Sequence, residues 1–192
     1  MLTTERSYRR KHLRAPYPFE VLFSDDGFVH KARAINISEG GLLLDRVPHF
    51  PASDDISFMM ALPQFPYLKN FSIEKLKNYT SDLLPVKVIR LRARMVRKIA
   101  EESDVDAIFS GIKVGLQFTE VDQYAQKDIA EYVNVFASNL IYLQVLIDSV
   151  NADKKNLEKI RILSRILGYE SITKLSLLRK KLSEDYLSLQ WL

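Results

Sequence analysis

Residues 19–44 read FEVLFSDDGFVHKARAINISEGGLLL, and this stretch decides the fold class. The apolar runs 19–23 and 28–35 flank Asp25-Asp26-Gly27. An Asp-Gly pair between such runs predicts a β-hairpin, because glycine tolerates positive φ. A second turn, Asn36 to Gly41, leads into the short run 42–44. The same texture continues outward, with 56–62, 86–99 and 112–118 as further strands and turn chemistry between most of them. Six short strands with no helix interleaved predict a mainly β fold, a small antiparallel barrel or sandwich. The stretch 63–85 interrupts the pattern with Pro63, Pro66, Pro85 and the polar run 75–82. It reads as a long loop with one helical turn.

After Val121 the period changes. Ile129, Val133, Phe136, Leu140, Leu143, Ile147 and Val150 step alternately by four and three residues, a heptad seam that predicts one long helix over 122–150. Thr119 and Asp122 supply capping residues at its start, and 151–153 ends the pattern. The flanking positions Tyr132, Ala137, Asn139, Gln144 and Leu146 are not the charged pairs of a two-stranded coiled coil, so the helix is expected to be buried on a wide face. Two further helices are expected over 153–167, stopped at Gly168, and over 171–189. Their apolar stripes are Leu157, Ile160, Leu163, Ile172, Leu175, Leu178 and Leu182. The expected organisation is a basic N-terminal segment (1–17), a β-barrel (18–121) and an α-helical C-terminal extension (122–192).

Composition narrows the function. Of 192 residues 47% are hydrophobic and 27% charged, with six glycines and seven prolines, so disorder and low-complexity repetition are poor descriptions. There is no cysteine, which excludes disulfides, thiolate metal sites and cysteine nucleophiles and fits a reducing compartment. Arg6, Arg9, Arg10, Lys11 and Arg14 stand against Glu5 in the first fourteen residues, which therefore carry as much positive charge as the whole chain's +4. One basic segment on a neutral body suggests a specific anionic ligand rather than a general polyanion coat. No apolar run follows these charges, so a secretory leader is not expected. The most apolar stretch, 133–150, is broken by Asn134, Asn139, Gln144 and Asp148, which argues against a membrane span. A cytoplasmic protein is expected.

Catalytic templates are absent from the sequence: no GxxxxGK[ST] phosphate loop, no GxSxG elbow and no HExxH. His12, His30 and His49 stand in unrelated local contexts with no second ligand at i+2 or i+4, so each reads as a surface or partly packed histidine. Neither an enzyme nor a metal or other cofactor is expected. Two motifs do stand out. Arg10-Lys11-His12-Leu13-Arg14 reads RxxxR, and Asn36-Ile37-Ser38-Glu39-Gly40-Gly41 reads NxSxxG.

With Val114-Gly115-Leu116-Gln117-Phe118 closing the β region, this order and spacing resembles the PilZ domain over about residues 5–121. That family comprises bacterial receptors for cyclic di-GMP. The resemblance implies that Arg10 and Arg14 clamp phosphate and guanine while Asn36, Ser38 and Gly41 form an opposing base-reading turn. It also implies that the neighbourhood of Arg9 sets whether one ligand molecule or a stacked pair binds, and a pair is expected. The chemistry is reasonable on its own terms. The arginine fork pairs bidentately with phosphate or with guanine O6 and N7, and it stacks on a base. An asparagine oxygen accepts from a guanine amino group, here in a neutral bond where aspartate would make a charge-assisted one.

A further basic run places Arg90, Arg92 and Arg94 on one face of a strand by the period of two. Arg90 and Arg92 are candidate additional ligand contacts, or the face takes an acidic partner. The function expected is a non-enzymatic second-messenger receptor whose basic segment folds over cyclic di-GMP and passes the change to a protein partner. The alternative is a PilZ scaffold that has lost its ligand and acts through protein contacts of its helices. Nucleic acid is not the expected partner, because Tyr8, Tyr17 and Phe19 do not interleave with the arginines on a sheet and the net charge is only +4. The helices are expected either to form a homo-oligomer through the long seam or to fold back as a bundle within one chain.

Overall fold

The Asp-Gly turn forms where the sequence places it. Asp26 (φ 47°) and Gly27 (φ 78°) are both left-handed, the two-residue geometry whose twist matches the strands it joins. The computed structural model describes residues 11–53, 55–79, 84–99, 112–149 and 154–190. Its strands are β1 (Arg14–Pro16), β2 (Glu20–Asp25), β3 (Phe28–Ser38), β4 (Gly41–Val47), β5 (Ile56–Pro63), β6 (Val86–Ile99) and β7 (Ile112–Glu120). They run in the order β1-β3-β2-β5-β6-β7-β4, and β4 pairs back onto β3. The circuit from β3 through β2, β5, β6, β7 and β4 is therefore a closed six-stranded antiparallel barrel, with no exposed sheet edge around it.

Strand β1 is a seventh piece that the sequence reading left within the basic segment. It lies on β3 in line with β2, joined across Pro16–Pro18 by Tyr17 N–H to the Ile35 carbonyl and Ala34 N–H to the Phe19 carbonyl, both 2.9 Å. Two prolines within three residues hide a strand from a pattern search, because proline cannot donate to the ladder. Tyr17 itself is fully buried, and its hydroxyl donates to the Ala61 carbonyl at 2.6 Å.

Inside the barrel, Val21, Phe23, Ala32, Leu44, Ile56, Phe58 and Leu91 belong to one apolar cluster that continues into the helices. The long helix, α2 (Gln123–Asp148), is capped by the Asp122 carboxylate, which accepts from the amides of Tyr124 and Ala125. Ile129, Val133, Phe136, Leu140, Leu143 and Ile147 of the seam are buried, and so are Tyr132 and Asn139 beside it. Val150 lies outside the described residues. By length and composition α2 could cross a bilayer, but ten of its residues are buried within this fold. It packs on β1, β3, β5 and β6 on one side and on α3 (Lys154–Ile166) and α4 (Leu175–Gln190) on the other.

The last helix starts four residues later than its period suggests. Gly168 (φ 85°) ends α3 in a left-handed cap, with Gly168 N–H on the Arg165 carbonyl (3.1 Å) and Tyr169 N–H on that of Ser164 (2.7 Å). The following residues form a turn closed by Ile172 N–H on the Tyr169 carbonyl at 3.0 Å, which tucks the Tyr169 ring into the core. Leu175, expected on the apolar stripe, is left partly exposed at the head of α4.

The stretch after β5 is more ordered than a loop. It contains a 3-10 turn (Leu68–Asn70) and a short helix, α1 (Ile73–Lys77), whose Leu68 and Leu76 are fully buried. Asn139, which reads in the sequence as a break in an apolar run, holds this stretch in place. Its Oδ1 accepts from Leu68 N–H and its Nδ2 donates to the Pro66 carbonyl, both at 2.9 Å. A second buried polar group anchors the far hairpin. Asp25 accepts from His49 Nε2 at 3.0 Å and from the amides of Ala52 and Ser53. The His49 ring meets His30 edge-on at 4.7 Å. Two histidines that look unrelated in sequence are thus neighbours, brought together by the β2–β3 register and the 48–53 turn.

Two predictions follow from these anchors. Asn139→Leu leaves two backbone groups unpaired and is expected to cost about 2 kcal/mol in urea denaturation. For Asp25, burial pushes the carboxyl up, but the Ala52 amide, the His49 ring and the Ser53 amide together outweigh it and hold the group below its ordinary 3.8. Its stabilising share is therefore complete above the ordinary carboxylate range and is lost as pH falls through the lower folded value. The wild type is expected to lose stability on acidification more steeply than Asp25→Asn, as read by melting temperature across pH 2–6; parallel curves would refute this.

Candidate functional site

The two sequence motifs meet at the β3–β4 hairpin, and a β-bulge makes this possible. Ala34 pairs with Leu44 and Asn36 with Leu43, so one extra residue, Ile35, sits between two successive pairs. Without it Asn36 would share the inward face of Ala34; with it, Asn36 and Ser38 lie on the face opposite Ile37, which turns into the core, and there Asn36 is half-buried while Ser38 is covered, only 6% exposed. This bulge has no signal in the sequence pattern. Across the hairpin Ser38 pairs with Gly41, and its hydroxyl donates to the Gly41 carbonyl at 3.2 Å.

Register carries the row further. Arg14 pairs with Ser38, Ser38 with Gly41, Gly41 with Gln117, and Gln117 with Arg94. Directly opposed residues share a face, so these five positions form one line across five strands on the outside of the barrel. A second line, Pro16, Asn36, Leu43, Gly115 and Arg97, runs beside it. Gly41 and Gly115 leave the floor of this face shallow, with cations on both sides. Arg94 is fixed there, donating Nε and Nη2 to Gln117 Oε1 at 3.2 and 3.0 Å.

The motif residues have duties inside the fold as well. A Cβ on Gly41 would lie 2.0 Å from the Leu116 carbonyl oxygen, so glycine is required for β4 to approach β7 whatever the face binds. A Cβ on Gly40 would meet the His12 ring at 3.0 Å, and His12 Nδ1 stands 4.0 Å from Glu39 Oε2. The second half of RxxxR therefore lies directly against the NxSxxG turn. Arg9 and Arg10 lie outside the described residues.

Arg90 and Arg92 face outward as the period of two requires, but at a distance from this turn. Arg90 is opposite Met59, and Arg92 is bound to Asp55 at 2.6 Å with Glu120 at 3.7 Å. They line a separate hollow in the surface, of about 820 Å³, which holds none of the motif residues. The arginine that register brings into line with Arg14 and Ser38 is Arg94. The alternation of Gly115 and Gln117 in the VGLQF strand is the signal that marks the strand between them. Among the described residues no group of three or more acidic or histidine side chains is placed to hold a metal.

The site is tied to the helices. Tyr132 on α2 donates its hydroxyl to the Pro16 carbonyl at 2.7 Å, two residues from Arg14, and its ring meets Tyr17 edge-on at 5.7 Å. Burial raises both phenols above their ordinary range, so both remain neutral donors at physiological pH.

A family model, the PilZ domain, matches residues 8–134. The chain belongs to the PilZ domain family. The match covers the barrel, both motifs and the first half of α2; it begins at 8 and ends thirteen residues beyond the 121 at which the sequence resemblance stops. Solved structures similar to the chain include the Bacillus subtilis inhibitor of motility MotI/DgrA, at 15% identity and TM-score 0.45, covering 66% of this chain and 49% of that one. The PilZ domain of Escherichia coli YcgR with c-di-GMP is similar at 13% identity and TM-score 0.41, covering 74% and 99%. The K. pneumonia MrkH–c-di-GMP complex is similar at 16% identity and TM-score 0.38, covering 73% and 54%. The chain thus spans about half the length of the Bacillus subtilis protein. No curated protein matches the sequence.

The glycine geometry in this PilZ domain yields a direct expectation. Gly41→Ala forces β4 from β7 and is expected to destabilise the ligand-free protein by about 3 kcal/mol, whereas Ser38→Ala, which loses one hydrogen bond, costs about 1 kcal/mol. Thermal denaturation without ligand separates the two; equal melting temperatures would show that the strands can move apart freely.

Proposed function

We propose that this PilZ protein is a cytoplasmic, non-enzymatic receptor for cyclic di-GMP. The observation that carries the reading is the line in which Arg14 of RxxxR is register partner to Ser38 of NxSxxG, on a face where Gly41 and Gly115 carry no side chain. A cyclic dinucleotide presents two phosphates and two guanine edges. Arg14, with Arg9 and Arg10 from the basic segment, supplies forks for phosphate and for guanine O6 and N7. Asn36, on the same face as Ser38, accepts from a guanine amino group. Arg94 supplies a cation on the opposite side of the glycine floor. Because Ser38 and Gly41 are also needed by the turn, their presence weighs less than that of the arginines.

The relay is part of the proposal. Ligand held by residues 9–14 orders the segment that runs into β1, and β1 is bonded through the Pro16 carbonyl to Tyr132 of α2. The helical extension then presents a changed surface to a protein partner. The nucleic-acid reading is weaker on the outer sheet face, since Arg92 is held by Asp55 and Glu120.

The test is calorimetric titration of cyclic di-GMP into the purified protein, with cyclic di-AMP and GTP as controls. Low-micromolar or tighter binding is expected, weakened at least about tenfold in Arg10→Ala and in Arg14→Ala. Amide exchange over residues 7–14 is expected to slow with ligand. No heat and no thermal shift at a hundredfold excess would mean that the face is vestigial and that the helices carry the function.

A further inference from the structure

A cavity of about 650 Å³ separates the barrel from the helical extension, a size typical of small-molecule sites. Pro16, Phe19 and Asn36 belong to its barrel wall, and Arg165, Tyr169 and Glu170 to its helical wall. Asn36 and Pro16 are register partners, as are Ser38 and Arg14 two residues along the same strands, about 7 Å away. The cavity therefore opens beside the motif face, within the span of a ligand made of two nucleotides.

The charged groups of the helical wall differ in availability. Lys181 is held by Asp185 at 2.7 Å, and the other oxygen of that carboxylate takes the Tyr169 hydroxyl at 2.8 Å. Arg165 and Glu170, both exposed, make no side-chain hydrogen bond or ion pair among the described residues. Their backbone is fixed by the left-handed cap at Gly168 and by the buried Tyr169 between them. An arginine fork and a free carboxylate on one turn suit guanine: the fork meets O6 and N7, and the carboxylate accepts from N1–H and the amino group. Phe19 offers an apolar surface against which a base can lie.

We infer that this cavity takes one guanine of the cyclic dinucleotide, read by Arg165 and Glu170 of the extension together with Asn36 of the barrel. The inference rests on the receptor reading and adds to it residues beyond the PilZ match at 8–134. The extension is then part of the ligand site as well as its output.

The test titrates cyclic di-GMP and cyclic di-AMP into the full chain as wild type, Arg14→Ala, Arg165→Ala, Arg165→Lys and Glu170→Gln, with melting temperatures recorded for each. Arg165→Ala is expected to weaken cyclic di-GMP about tenfold or more, Arg165→Lys to recover only part of that, and Glu170→Gln to narrow the preference for guanine over adenine. Melting temperatures without ligand should match the wild type, because neither side chain has a partner to lose among the described residues. If Arg14→Ala abolishes binding while the Arg165 and Glu170 variants bind as wild type, the cavity assignment falls and the receptor reading stands. If the wild type does not bind, both fall.

Discussion

The close approach of β4 to β7 at Gly41 is the constraint on which the rest of the molecule depends. The Leu116 carbonyl occupies the space that any side chain at position 41 would need. Only without a side chain at position 41 does β4 lie between β3 and β7 and close the barrel. Closure creates the outer-face line from Arg14 to Arg94, because register partners on five strands face the same way only if β4 joins them. The glycine that a ligand-binding motif would select for access is thus selected first by the strand pairing. Structure and binding face share one residue, and a family motif of this kind reports both.

Two groups of contacts connect the barrel to its surroundings. Tyr17 and Tyr132 tie the end of the basic segment to the barrel wall and to α2 through hydroxyls bonded to backbone carbonyls. Asn139 ties the stretch before α1 to the same helix. These are buried polar groups with their partners in place, so each acts as a specific joint where an apolar contact would leave sliding freedom. The apolar cluster runs through all of these contacts from the barrel interior to α4.

Much of this was legible in the sequence. The six strands and their turn residues announce the barrel, since the Asp-Gly turn needs the left-handed pair it shows and a period of two survives in most strands. The heptad seam announces α2 almost residue by residue. What was hidden has physical reasons. Strand β1 is masked by Pro16 and Pro18, which break the ladder without ending it. The Ile35 bulge depends on the partner strand, and local pattern does not encode it. The meeting of His30, His49 and Asp25 depends on register and a distant turn. In the candidate site the motifs were readable, whereas the alignment of Arg94 with Arg14 required the pairing of β4, β7 and β6 to be known.

Tyr132 and Asn139 are seven residues apart on α2, about 10 Å along the axis and on the same side of the helix. A rod pinned to a wall at two points on one side has lost rotation about its own axis and translation along it. Helix α2 therefore moves with the barrel as one body. Whatever the binding face experiences reaches α3 and α4, which pack on α2, through the whole rod.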